Sequence, residues 1–217
     1  RRLWKLRLGS CRLCRLEEEL LGISREDDLP GALVPQTYFQ YLKDRRFEPL
    51  ERILLHNRQD IVSLAQLFFY VCDVYDQPER LDSAQDLFSL AGALSKAGDR
   101  SRAVKCYRLS ARGEKRAEAY QAMALLEKRA GNADHAARLY QAMLRRGDEP
   151  VHAAIALAKL YEHQYRDVET ALAYTRQALL LLSEPTLRAQ DEAVQTQRNE
   201  VQYRYGRLQK RLRQTTV

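Results

Sequence analysis

The sequence predicts an all-α protein made largely of stacked helical hairpins, and three observations predict it. Apolar residues recur at helical spacing along almost every segment. Short β-branched runs bounded by turns, the mark of strands, are missing. A pattern of small residue, glycine and tyrosine also repeats at a distance of 33 residues in the middle of the chain.

The elements follow in order. Ser10 is placed to cap a helix that carries Leu13, Leu16 and Leu20 on one face and stops at Gly22. A loop over 24–34 contains acidic residues, Pro30 and Gly31. Pro35 suits the first position of a helix over 35–43, and Pro49 opens a segment running through Ile53, Leu54 and Leu55. The longest apolar stripe is next: Ile61, Leu64, Ala65, Leu67, Phe68 and Val71. Residues 73–82 are polar, contain Pro78 and read as a linker.

Beyond the linker, Leu90, Ala91, Leu94, Gly98, Asp99, Ala103 and Tyr107 are matched 33 residues on by Met123, Ala124, Glu127, Gly131, Asn132, Ala136 and Tyr140. A third copy has Leu157, Ala158 and Tyr161, then Ala171, Thr175 and Ala178, with a turn about one residue longer and Tyr165-Arg166 in place of Gly98-Asp99. The alanines allow close helix approach. The glycines end each first helix at positive φ, and the Asp or Asn assists the turn. One hairpin cannot bury its apolar face alone, so hairpins stack. A polar stretch over 187–214, with Val194, Val201, Tyr205, Leu208 and Leu212 at mixed helical spacing, reads as the capping helix.

This array resembles the tetratricopeptide repeat family, with Leu87, Tyr120 and Ala154 where that family favours Trp. The resemblance implies a right-handed α-α superhelix whose first helices line a concave groove. Its wall would include Gln85, Phe88, Lys96, Gln121, Lys128, Arg129, His152, Lys159 and His163. A basic groove favours an acidic peptide or protein, or nucleic acid.

Composition narrows the function classes. The 217 residues carry a net charge of +7, with 30% charged and 45% hydrophobic residues, which excludes disordered and collagen-like chains. No apolar run approaches the roughly 18 residues of a membrane span. Four cysteines (Cys11, Cys14, Cys72, Cys106) suit a reducing cytoplasm rather than a disulfide framework. Cys11 and Cys14 form a C-x-x-C without a second ligand pair, and read as small helix residues. Neither a phosphate-binding glycine loop nor a G-x-S-x-G elbow occurs.

One place carries catalytic residue types. His56 and Asp60 are one helical turn apart, so they share a face. A carboxylate there could bind a divalent cation, and an imidazole could position or deprotonate an attacking water. A surface ion pair is the plain alternative. The segment resembles the third motif of DnaQ-type, ribonuclease-H-like exonucleases. Its surroundings resemble the bacterial YprB-like group among them. The matching pieces are Arg2-Leu3-Trp4-Lys5, then Ser10-Cys11-Arg12-Leu13 with Leu16-Glu17 and Leu21-Gly22, then Asp28-Leu29-Pro30-Gly31. Val34-Pro35 with Tyr38 and Tyr41-Leu42, and His56-Asn57-Arg58 with Asp60-Ile61, complete them.

The resemblance implies that Asp60 is a ligand of Mg²⁺ or Mn²⁺ and His56 the water-orienting base. It implies a nuclease acting on DNA or RNA. It also implies that the other motif acids lie upstream of Arg1, so this chain, taken as a C-terminal piece, is inactive alone. The alternative is a non-enzymatic, protein-binding adaptor.

The expected organisation is therefore residues 1–75 as the helical end of an incomplete ribonuclease-H-like α/β domain, a linker over 76–83, three repeats over 84–183 and a cap over 184–217. Charge is uneven: residues 184–217 hold seven basic against four acidic residues, whereas 1–75 hold twelve against eleven. Residues 1–15 and 204–213 contain no acid. In the second run Arg204, Arg207, Lys210 and Arg211 could contact a phosphate backbone, or form a solvated helix face.

Overall fold

The computed structural model describes residues 2–25, 31–184 and 192–215. Among the described residues there is no strand, and none of the helices is long and apolar enough to cross a membrane. Asp28, Leu29 and Pro30, and the start of the cap at 185–191, lie outside the described residues. The chain divides into two compact units, Arg1–Ala93 and Leu94–Val217.

The first unit holds α1 (Lys5–Leu8), α2 (Leu13–Leu16), α3 (Val34–Asp44), α4 (Glu48–Asp76) and most of α5 (Ala84–Lys96). Ser10 does not cap α2, which starts after Arg12 without a side-chain cap. The helix instead widens into a π turn, Glu17–Leu21, which ends at Gly22 in the left-handed region. Proline opens both α3 and α4, as expected. The helix α4 runs on to Asp76, into the segment read as linker, and a 3-10 turn follows at Pro78–Arg80.

The apolar stripe of α4 departs from a buried-core reading. The residues it buries are Ile53, Ser63, Leu67 and Val74. Ile61, Leu64 and Phe68 are 57–68% exposed. With Leu54, Leu55, Val62 and Phe69 they form a broad apolar side open to solvent in this chain. Trp4 is buried against Tyr70, with ring centroids 5.9 Å apart. Nearby, Arg7 Nε donates to the buried Asp86 Oδ2 at 2.8 Å. Burial pushes the Asp86 carboxyl up, and Arg7 opposes the shift.

The second unit is a run of helices, each packed on the next: α6 (Arg100–Ser110), α7 (Arg116–Arg129), α8 (Ala133–Arg146), α9 (Pro150–Leu160), α10 (Val168–Leu182) and α11 (Glu192–Thr215). Ala103, Ala124, Ala136, Ala158 and Ala171 are fully buried, so backbones approach closely where the repeat put its small residues. Tyr140, Met143, Leu157 and Leu160 fill the space between α8 and α9. A second cluster joins Ala154, Ala178, Leu182 and Val201, and holds α11 on α9 and α10.

The turns show how the repeats differ. Gly98 and Gly131 have φ of 85° and 80°. Asp99 caps α6 by accepting from Arg102 N at 3.0 Å. Asn132 does not cap α8; its amide donates to Glu127 Oε2 at 2.8 Å instead. The third turn has no glycine. There α9 widens into a π turn, Tyr161–Tyr165, and Arg166 takes the left-handed conformation at φ 56°. Asp167 then caps α10 by accepting from Thr170 N at 2.9 Å. The longer turn read from the sequence is this inserted π turn.

Candidate functional site

His56 and Asp60 lie together on α4, with His56 Nε2 3.5 Å from Asp60 Oδ2. Two residues outside that helix join them. Arg25, just past the π turn, donates from Nη2 to Asp60 Oδ1 at 2.5 Å. The same guanidinium makes a two-point pair with Glu17, Nε to Oε2 and Nη2 to Oε1, both at 2.7 Å. Its Nη1 lies 3.4 Å from His56 Nδ1. Arg25 is therefore a hub between the π turn and α4.

Glu17 is the anchor of this hub. Its side chain is fully buried, and it is the first residue of the π turn that follows α2. Burial raises its carboxyl, but hydrogen bonds from Arg25 and Ser63, with the Arg25 charge, outweigh this and hold it below the ordinary carboxylate range. Ser63, also buried, accepts in turn from Gln59 Nε2 at 3.0 Å. The chain thus fixes α4 in rotation about its axis through Glu17, Arg25 and Ser63, and Asp60 and His56 keep the partly exposed edge.

As it stands the cluster is an ion-pair network rather than a cation cage. Asp60 Oδ1 and both Glu17 oxygens accept from the Arg25 guanidinium, which repels a metal ion. No group of three or more His, Cys, Asp or Glu among the described residues is arranged to hold a metal. The residues present do not by themselves fit Mg²⁺ or Mn²⁺.

The groove residues separate. Lys128, His152, Lys159 and Arg204 line one cavity of about 310 Å³ in the second unit. Gln121, Arg129, Lys96 and His163 are not part of its lining, and Phe88 belongs to the first unit. His152 lies beside Tyr140, ring centroids 6.2 Å apart, and burial holds its imidazole below the ordinary value. The basic run of α11 has an internal occupation. Arg204, Arg207 and Arg211 all reach the buried carboxylate of Glu162 in the π turn, Arg207 at 2.6 Å and Arg211 at 3.4 Å. Lys210 remains exposed.

Sequence reading missed Arg25, Ser63 and Glu162. Glu17 stood among the matching pieces without a role. Nothing in the local pattern marks Arg25, because its partners are 8 and 35 residues away.

Comparison with known proteins adds two findings. The RNase_H superfamily profile matches residues 1–72, a span that contains Glu17, Arg25, His56 and Asp60. The Bacillus subtilis (strain 168) protein YprB, described as uncharacterized, is 28% identical over 184 residues, 82% of this chain and 45% of that relative. The chain spans less than half the length of the relative it matches.

Proposed function

We propose that residues 1–75 are the C-terminal, helical portion of a ribonuclease-H-like nuclease domain, joined to a tetratricopeptide-like module over 84–183 with a capping helix. The observation that carries this reading is the Glu17–Arg25–Asp60–His56 cluster inside a ribonuclease-H superfamily match. The broad apolar side of α4 supports it, since such a side is the surface a sheet would cover. On this reading the longer protein hydrolyses phosphodiesters of DNA or RNA in the 3′–5′ exonuclease manner, with Mg²⁺ or Mn²⁺ as cofactor. The carboxylates that complete its centre come from residues outside this chain. Asp60 is the acid contributed here and His56 its neighbouring base. Arg25 and Glu17 are positioning residues.

The test uses the longer protein and a labelled single strand. Asp60→Asn should lower Mg²⁺-dependent hydrolysis by about a hundredfold or more. Wild-type cleavage by that variant would overturn the assignment.

A second reading, a protein-binding adaptor, is favoured by the cavity that gathers Lys128, His152 and Lys159. Charge reversal at Lys128 and Lys159 should then abolish capture of an acidic peptide. Unchanged capture would exclude this groove.

A further inference from the structure

Besides the run on α11, the second unit gathers cations on α6 and in the turn after it, which the sequence reading left without a role. A shallow trough of about 800 Å³ is lined by Arg100, Lys105, Arg108 and Arg112 against a single carboxylate, Glu127. That carboxylate is already engaged by Arg100 at 2.5 Å and by Asn132 at 2.8 Å. Arg108 and Arg112 are exposed and have no acidic partner among the described residues. The trough therefore presents unspent guanidinium donors, whereas the α11 run spends three of its cations on Glu162.

The trough continues into a second cavity. Val104, Arg108 and Glu127 line both, and the second, of about 420 Å³, adds Met123, Leu139, Tyr120 and Arg138. Arg138 also has no acidic partner among the described residues. The pocket mixes apolar walls (Val104, Met123, Leu139) with Glu127, His135 and Arg138, and Arg146 lies 5.1 Å from the Tyr120 ring centroid, which leaves the ring's other face for a base. With the cations beside it, this matches a chain of phosphates with a base turned out of line. Along α6, Arg100 to Arg108 covers about 12 Å of helix rise, enough for a few consecutive phosphates. A duplex keeps its bases stacked inside and has no base to offer such a pocket.

We propose that α6 and the turn after it are the docking face for single-stranded nucleic acid, with the backbone along Arg100, Lys105, Arg108 and Arg112 and one base in the pocket between α6, α7 and α8. The inference rests on the nuclease reading and deepens it: it says where the second unit holds the strand. An acidic peptide matches the charge but supplies no planar base for the pocket.

The test is fluorescence anisotropy of a labelled 12-nucleotide strand with the full 217-residue chain over a range of salt. The strand is offered as deoxythymidine, as uridine and with abasic sites. The expected result is binding that weakens linearly with log salt and weakens further on the abasic strand. Arg108→Ala with Arg112→Ala should lower the salt slope by about 1.4, from about 0.7 per lost single-strand phosphate contact. Arg176→Ala, an exposed cation on α10 outside both cavities, should change nothing. Circular dichroism confirms that each variant keeps its helix content.

A flat salt response, equal loss in Arg176→Ala, or equal competition by polyglutamate would overturn the proposal, the last in favour of a peptide. Failure here leaves the Asp60 assignment standing, because that is decided by hydrolysis in the longer protein. Wild-type hydrolysis by Asp60→Asn would conversely leave strand binding on α6 intact.

Discussion

Arg25 meets two carboxylates and an imidazole at once, and only one of those carboxylates is fully buried. Removing Arg25 would strand Glu17 as an uncompensated charge in the interior. Arg25→Ala should therefore cost about 3–5 kcal/mol in chemical denaturation. Arg25→Ala combined with Glu17→Leu should recover much of that loss, because the buried charge goes with its partner. The sign of the pH dependence follows from the lowered Glu17 carboxyl. Its stabilisation is complete above the unfolded carboxylate value of about 4.3 and is lost as pH falls through the lower folded value.

His152 responds in the neutral range. Burial keeps it neutral in the folded chain, with Lys159 reinforcing the shift and Glu149 opposing it. The unfolded chain takes up the proton first, so stability falls as pH drops below about 6.5. Between pH 7.5 and 5.5 the wild type should lose more Tm than His152→Gln, as scanning calorimetry can measure.

At the scale of the element, the three hairpin turns form an internal experiment. Gly98 and Gly131 hold positive φ without cost, whereas Arg166 holds φ 56° with a side chain attached. Arg166→Gly should raise Tm by about 2–4 °C if relief of the left-handed strain is worth about 1 kcal/mol. Gly98→Ala should lower it by a similar amount, and through the backbone alone, since a Cβ at Gly98 meets nothing within 4 Å. The helix α11 depends on Glu162 in another way. Three arginines converge on that buried carboxylate, so Glu162→Gln should loosen the helix. Amide hydrogen exchange should then quicken across α11 while α7 and α8 stay protected.

The helical class and the 33-residue repeat were legible because they are written locally, in alanines, glycines and tyrosines at fixed offsets. The pairing of His56 with Asp60 was legible for the same reason, being one turn of helix. What could not be read depends on chain segments far apart. Arg25 finds Asp60 across 35 positions, and Arg204 finds Glu162 across 42. The π turn at Glu17–Leu21 was also invisible, and the one at Tyr161–Tyr165 showed only as a turn one residue longer than its counterparts, since an extra residue leaves a mark only where a repeat supplies the comparison. Each turn carries a buried glutamate, Glu17 and Glu162, that an arginine neutralises. The widened helix and the internal ion pair thus occur together in both units.

The solvent-facing side of α4 makes the chain behave differently in different company. This helix of 29 residues is about 44 Å long and presents Leu54, Ile61, Leu64 and Phe68 to water along one flank. The isolated chain should bind a hydrophobic dye and grow in apparent mass with concentration in light scattering. Ile61→Lys with Phe68→Lys should suppress both without loss of helix signal. In a longer protein of the kind the nuclease reading proposes, with a sheet to cover the flank, the same pair should lower solubility and stability. One double substitution with opposite signs in the two settings would mark the flank as an unfinished interior rather than a finished surface.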